Sequence, residues 1–577
     1  MLDRPTEAER AAVDALVGRG DGFNGRVVYG GHAARAQRHL LLPALHAVQD
    51  VSGAVSKGAL AYICDRLTIP PAEAYGVATF YALFDVGGSG GFGLHVCDDI
   101  VCAQYGAGKL CAALDESGTD YERSPCLGQC DRAPAAMFHQ PGVGYGNAAP
   151  VTTETISNPV FDELPPGMVH QDASELTLLR RIGTVDPTSI DAYVASGGFA
   201  ALTRAREIGA DAVIAELKKS NLRGRGGAAF PIGIKWEGVR DAPGPEKYVI
   251  ANGDESEPGT FKDRMLMEGD PFAVVEAMAI YGFATGATKG FIYVRGEYPT
   301  AERRLIDAVD QSERAGHLDE TFHLEVRRGA GAYICGEETA LFASIEGLRG
   351  EPRQKPPFPT QAGVFGKPTG INNIETLLAA LEVVADGAEA FAAIGTEQSA
   401  GTKLFCVSGA VAKPGVYEVV FGTTLGELLD LAGGVLDGSD LGAVLMGGAA
   451  GVFADASALD VPLTFEGTRA AGTTLGSGSI IFFDDQTDFG PVLRRIARFF
   501  RDESCGQCVP CRIGTVRQEE ALARLDSDQP LGSVADEKRR LDDLALVMTD
   551  ASICGLGQTA ASAVQSAIRL GLNGVPA

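Results

Sequence analysis

The chain has 577 residues, a net charge of −26 and a 45% apolar fraction, which is material for several packed domains and for a soluble surface. So acidic a chain has no basic face for nucleic acid. No run approaches the roughly 18 apolar residues of a membrane span, and the acidic, amphipathic start MLDRPTEAERAAVDAL lacks the basic and apolar regions of a signal peptide. A cytoplasmic location is expected. Glycine, at 74 residues, is well above its usual share of about 7% and follows no collagen-like period, which points to loops that bring backbone close to something.

In chain order, residues 1–86 read as helical: AERAAVDALV, LLPALHAVQDV and KGALAYICDRL recur near the 3.6 period, and Pro70 and Pro71 open a further helix. Residues 87–150 form a small α/β unit, with GLHVC and AAMFH as short strands around the helical AGKLCAALDE. From about 142 to 172 the chain is rich in Gly, Pro, Thr and Asn and reads as a linker or wrapped arm, so 151–187 is assigned as a connection. Residues 188–400 alternate helices with the strands KYVIANG, GFIYVRG and FHLEVRRG, as a layered α/β domain does. Residues 401–488 set short strands around TTLGELLDLAGG, an α+β module, and 489–577 return to helical periodicity as a bundle of about four helices.

Eight of the twelve cysteines fall into two sets. ESCGQCVPCRIG places Cys505, Cys508 and Cys511 with two residues between neighbours, and ASICGLGQ supplies a remote Cys554. Three closely spaced thiolates and a distant fourth suit the separated iron corners of a 4Fe–4S cluster. Zinc also takes four thiolates, but its sites usually pair two C-x2-C units. The second set is Cys97 and Cys102 (C-x4-C), then Cys126 and Cys130 (C-x3-C). The first half opens like a plant-type 2Fe–2S site and the second half departs from it, so zinc stays an alternative. Cys64, Cys111, Cys335 and Cys406 read as small buried hydrophobes.

Four polar, glycine-rich turns fall in the 188–400 domain. SNLRGRGGAAFPIGIKW, with Lys235 near its end, could cradle a phosphate with backbone N–H groups, although no Walker A loop occurs. ANGDESEPGTFKDR crowds Asn252, Asp254, Glu255 and Glu257 into one turn, GAGAYICGEETAL places Glu337 and Glu338 at a helix start, and PTGINNIET carries Asn372 and Asn373. Together, upstream of a cluster-binding bundle, they point to a flavin that passes electrons to iron.

LRGRGGAAFPIGIKW, NGDESEPGTFKDR, GAGAYICGEETAL, INNIET, ESCGQCVPCRIG and SICGLGQTA closely resemble the FMN- and NAD-binding subunit of respiratory NADH:quinone oxidoreductase. The upstream cysteine set with CLGQCDRAP resembles that enzyme's small 2Fe–2S subunit, here joined in front. The resemblance implies a thioredoxin-like fold for 87–150, a ubiquitin-like fold for 401–488, and FMN, NAD, one 2Fe–2S and one 4Fe–4S cluster as cofactors. It places FMN against Gly224, Arg225, Gly226 and Lys235, over Asn252, Asp254 and Glu255, with Tyr333, Gly336, Glu337, Glu338, Asn372, Asn373 and Thr376 completing the pocket. NAD(H) would lie among Phe230 and Phe358, with Glu257, Glu338 and Lys355 near its ribose and phosphates. Glu257 would disfavour a 2′-phosphate by repulsion. The aromatic residue the family carries two positions after the Lys-Trp pair is Gly238 here, which removes one side of an adenine clamp.

Such fusions resemble the diaphorase subunit of soluble NAD-dependent formate dehydrogenases, whose partner is a molybdenum- or tungsten-containing α subunit carrying further clusters. NAD-reducing nickel–iron hydrogenases and a fused quinone-oxidoreductase subunit are the alternatives, and a structural zinc-binding assembly protein is the reading from another class. No catalytic acid, base or nucleophile is expected, because flavin and clusters carry the chemistry.

Overall fold

The computed structural model describes residues 4–18, 37–88, 93–161, 163–165, 167, 169–318, 320–436, 438–572 and 574. Helix Glu7–Val17 starts in a reciprocal capping box between Thr6 and Glu9. It packs with Leu41–Ser52 and Lys57–Leu67 through buried Val13, Leu45, Val48 and Ile63. This helical region is tied to the rest of the chain by main chain, since the N–H groups of Ala82 and Leu83 donate to the carbonyls of Gly331 and Ala330.

The first sheet runs β2-β1-β3-β4, from β1 (Gly93–Cys97), β2 (Glu122–Ser124), β3 (Ala136–Gln140) and β4 (Gly144–Ala148). The stretch GYGNA, expected to begin a linker, is β4, antiparallel to β3 with Phe138 opposite Gly146. Its glycines hide the strand signal, and the hairpin partner supplies the order. The connection beyond it is a wrapped arm: one Glu418 carboxylate oxygen accepts from the N–H groups of Thr177, Leu178 and Leu179, and Arg181 pairs with Asp270 at 2.7 Å.

The central sheet is wholly parallel, in the order β7-β6-β5-β8, from β5 (Tyr248–Gly253), β6 (Lys289–Val294), β7 (His323–Arg328) and β8 (Thr369–Asn373). The two central strands, β5 and β6, are largely apolar and buried because helices cover both faces. Helix Pro271–Thr285 is apolar all round and buried along nearly its whole length, as a helix enclosed by other elements must be. The chain moves from β5 to β6 to β7 in one direction and then returns to β8 on the far side of β5. The loops leaving β5 and β8 therefore diverge and open a crevice at the strands' C-terminal ends. Asn252 and Asn373 are register partners at that crevice.

A third, mixed sheet runs β10-β9-β13-β11-β12, from β9 (Thr402–Gly409), β10 (Gly415–Val420), β11 (Leu441–Met446), β12 (Val452–Ala454) and β13 (Ser479–Asp484). Helices Phe489–Asp502, Val509–Asp526, Val534–Ala551, Gly555–Thr559 and Ser562–Leu570 complete the chain. Among the described residues no helix is long and apolar enough to cross a membrane.

Candidate active site

A cavity of about 500 Å³ occupies the β5/β8 crevice. Of the expected flavin and nucleotide residues, Gly226, Asn252, Asp254, Glu255, Glu257, Tyr333, Gly336, Glu337 and Asn373 line it. The 222–232 loop is closed by two main-chain bonds, Gly224 N–H to Phe230 O and Ile232 N–H to Leu222 O. A Cβ at Gly226 would sit 3.1 Å from that of Asn373, so glycine lets this loop lie against the end of β8.

The remaining expected residues stand behind or beside the cavity. Arg225 turns its buried guanidinium away, to Ala400 O and over the Phe421 ring, while its N–H donates to Thr376 Oγ1. Asn372 accepts from Trp236 Nε1 at 3.0 Å. Lys235 donates to Ile371 O at 3.0 Å and lies 5.9 Å from the ring of Phe230. Lys355 bridges Glu337 and Glu338, and Phe230 and Phe358 are about half exposed. Gly238 is exposed, with only Thr360 nearby.

Burial moves three of the cavity's carboxyl groups, Asp254, Glu255 and Glu257, above their ordinary range. One Asp254 oxygen is buried without a hydrogen-bond partner, and burial drives this carboxyl well above the usual value. Burial pushes Glu255 up to about 7, helped by Asp263 and opposed by Lys262. Glu257 also reaches about 7 through burial, against the bonds it accepts from the Tyr333 hydroxyl and Ala450 N–H. An unpartnered buried oxygen beside glycine backbone fits a ligand that brings its own N–H donors, as a flavin ring does.

Sequence reading missed a whole wall. Gly447, Ala450, Thr474, Gly476 and Ser477 of the third sheet's loops, and Gly555, Leu556 and Thr559 of the C-terminal helices, also line the cavity. The strings MGGAAG and LGSGS were the available signal. Buried Lys403 on β9 ties this wall to the 222–232 loop, donating to Ser477 O at 3.3 Å and Arg225 O at 3.5 Å.

The eight clustered cysteines form two quartets. β1 and β2 are parallel neighbours, so the turns that follow them leave from the same sheet end; these bring Cys97 and Cys102 to Cys126 and Cys130. All four are buried, with 3.3 Å between Cys126 Sγ and Cys130 Sγ. The hydrogen bond to Cys126 and burial push the Cys130 thiol up, and charge on the other three sulfurs adds to it. Gly128, at φ +66°, lies so close under Tyr298 that an added Cβ would fall 2.1 Å from its hydroxyl. In the second quartet Cys508 caps helix Val509–Asp526, Cys511 sits in its first turn and Cys554 caps Gly555–Thr559. Helix N-termini favour thiolate. Burial still pushes Cys511 and Cys554 up to about 11, and charge on Cys505 adds to both. Among the described residues no three ligating side chains are gathered as they would be around a single metal ion; the two sets are the candidate ligands of iron–sulfur clusters, whose iron corners stand further apart. Cys64, Cys111, Cys335 and Cys406 are buried singly.

Cavity, glycine loops and two thiol quartets define a nucleotide- and flavin-binding iron–sulfur protein. Known proteins agree with that class. Residues 217–382 match the Nuo51 FMN-binding domain, 491–570 the NADH-ubiquinone oxidoreductase-F iron-sulfur binding region, 31–158 the thioredoxin-like [2Fe-2S] ferredoxin and 404–448 the SLBB domain. The F 2 subunit of the NADH-quinone oxidoreductase of Rhizobium meliloti (strain 1021) is 42% identical over 404 residues, covering 68% of this chain and 95% of the relative. The HndC subunit of the NADP-reducing hydrogenase of Solidesulfovibrio fructosivorans is 43% identical over 388 residues, 66% of this chain and 78% of the relative. A chain of an NAD+-reducing [NiFe]-hydrogenase superposes with a TM-score of 0.80 at 31% identity over 93% of both chains.

The chain belongs to the family of the F subunit of NADH-quinone oxidoreductase, the FMN- and NADH-binding subunit, with a thioredoxin-like [2Fe-2S] domain fused to it here. It is an oxidoreductase subunit that acts on NAD(H) and carries an FMN-binding domain and regions for both cluster types.

Proposed function

We propose that this chain exchanges hydride between NAD(H) and FMN in the β5/β8 cavity and single electrons with a partner, as the diaphorase subunit of a cytoplasmic, NAD-dependent formate dehydrogenase. The observation that carries the flavin site is the unpartnered Asp254 oxygen in a cavity walled by glycine loops. FMN, when bound, supplies the conversion between two-electron hydride and one-electron transfer. Asp254, Asn252, Gly226, Gly227 and Asn373 would hold the flavin, and Tyr333 with Glu257 would border the nucleotide. Phe230 and Phe358, each about half exposed, would offer faces for the adenine, and Lys355 would pair with the phosphates. Cys97, Cys102, Cys126 and Cys130 would hold the 2Fe–2S cluster, and Cys505, Cys508, Cys511 and Cys554 the 4Fe–4S cluster.

The formate-oxidising molybdenum or tungsten partner rests on the resemblance to such fusions alone. A second reading, the diaphorase of an NAD-reducing hydrogenase, is favoured by the superposition over 93% of both chains. The native complex, assayed for NAD+ reduction with formate and separately with hydrogen, decides between them. Formate activity with molybdenum or tungsten in the sample supports the first reading, and hydrogen activity with nickel supports the second. NAD+ reduction with neither donor, in a sample free of flavin, would sink both.

A further inference from the structure

Arg295 follows β6 and is only 3% exposed. Its guanidinium donates from Nη1 to Glu255 O at 2.8 Å and from Nη2 to Cys126 O at 2.7 Å. Both Nε and Nη2 also reach the Glu297 carboxylate, at 3.2 and 2.8 Å. One side chain thus joins the main chain of the cavity wall to the main chain at a cysteine of the buried quartet. Tyr298, packed 5.0 Å from the guanidinium, braces the same junction, its hydroxyl donating to Glu255 and leaving Gly128 no room for a side chain. A small cavity of about 50 Å³ is lined by Cys126, Ser256, Arg295, Glu297 and Tyr333 together.

We propose that Arg295 is a positioning residue for the Cys97/Cys102/Cys126/Cys130 centre: it fixes the Cys126 loop against the flavin cavity, and its buried charge raises that centre's affinity for an electron. The proposal rests on this quartet holding a 2Fe–2S cluster. An electron arriving there adds one negative charge. Cluster potentials respond to net charge, to hydrogen bonds and to burial. The Arg295–Glu297 pair is neutral as it stands, so removing the arginine leaves a buried carboxylate beside the centre. One unit charge acting through several ångströms of protein changes an equilibrium on the order of tenfold.

The test is a mediator-buffered redox titration of the full-length, cluster-loaded protein, followed by the electron paramagnetic resonance of the reduced 2Fe–2S centre, with iron and sulfide counted first. Arg295→Gln is expected to lower the reduced-to-oxidised ratio at fixed potential about tenfold, or about 59 mV for a one-electron couple. Arg295→Gln/Glu297→Gln, neutral again, recovers most of that shift, and Arg295→Lys stays within about threefold of the parent. A midpoint unmoved in Arg295→Gln with full iron content overturns the proposal. If that variant loses its iron, Glu297→Gln is read instead: it must raise the midpoint, and no change overturns the proposal equally. A parent protein with no 2Fe–2S signal overturns the cluster reading itself, and the proposal with it.

Discussion

Glu375→Gln tests whether the buried charge network behind the cavity binds the third sheet to the central one. The Glu375 carboxylate is fully buried at the start of helix Ile374–Asp386. It lies 3.1 Å from Lys262 Nζ and 3.4 Å from Lys403 Nζ, and accepts from Leu404 N–H on β9 at 2.9 Å. Burial opposes its charge, yet Lys403, Lys262 and Arg225 outweigh that and hold it below the usual carboxylate range. Glutamine keeps the volume and removes the charge, leaving two buried ammonium groups with Asp263 as the nearest counter-charge at 2.8 Å from Lys262. Breaking a buried pair from one side costs about 3–5 kcal/mol.

The protein carries its own probe for this loss. Trp236 is the single tryptophan, 1% exposed, stacked on Tyr281 at 4.1 Å and bonded to Asn372. Its fluorescence therefore follows unfolding of the central layer alone. In urea the Trp236 transition of Glu375→Gln should fall by about 3–5 kcal/mol, and Glu375→Gln/Lys403→Met should recover a large part of it. A loss below about 1 kcal/mol at unchanged slope, the size of a surface pair, would refute the reasoning.

Burial holds Lys403 down to about 8, whereas the unfolded chain keeps this proton to the ordinary 10.5. The unfolded state binds more protons across that window, so this residue's contribution to stability rises between pH 8 and 10.5. Lys403→Met should flatten that rise in a pH series of urea transitions; an unchanged slope would show the ammonium is not desolvated. Gly128→Ala meets both a positive φ and the Tyr298 ring, and should cut 2Fe–2S content at least twofold while the 4Fe–4S content persists, as read by iron analysis and paramagnetic resonance. Gly557→Ala would bring a methyl 2.4 Å from Ser552 Oγ and 2.9 Å from Cys511 Cβ, and should reverse that selectivity. Equal loss of both clusters in either variant would argue for general misfolding.

The sequence by itself determined the elements and the chemistry. Cysteine spacing is local, so C-x2-C-x2-C and C-x4-C announced two thiol sets, and the strand-like segments KYVIANG, GFIYVRG and FHLEVRRG announced β5, β6 and β7 of a layered α/β domain. The polar turn after KYVIANG, which read alone could have been a solvated acidic turn, pointed to a flavin only together with three others, and its Asn252 and Asp254 do line the crevice. The short strands β4 and β8 escaped notice, since GYGNA and TGINN carry glycine and asparagine where strands usually carry branched side chains, and only their neighbours' hydrogen bonds order them. Tertiary structure alone decided which polar residues face the cavity. It turned Arg225 and Asn372 into struts, brought loops from the third sheet and the C-terminal helices to close the far wall, and set Arg295 between two main chains that lie 169 and 40 residues away in sequence. Those choices depend on strand order and domain packing, and a contact between residues so far apart leaves no periodicity in the chain to read.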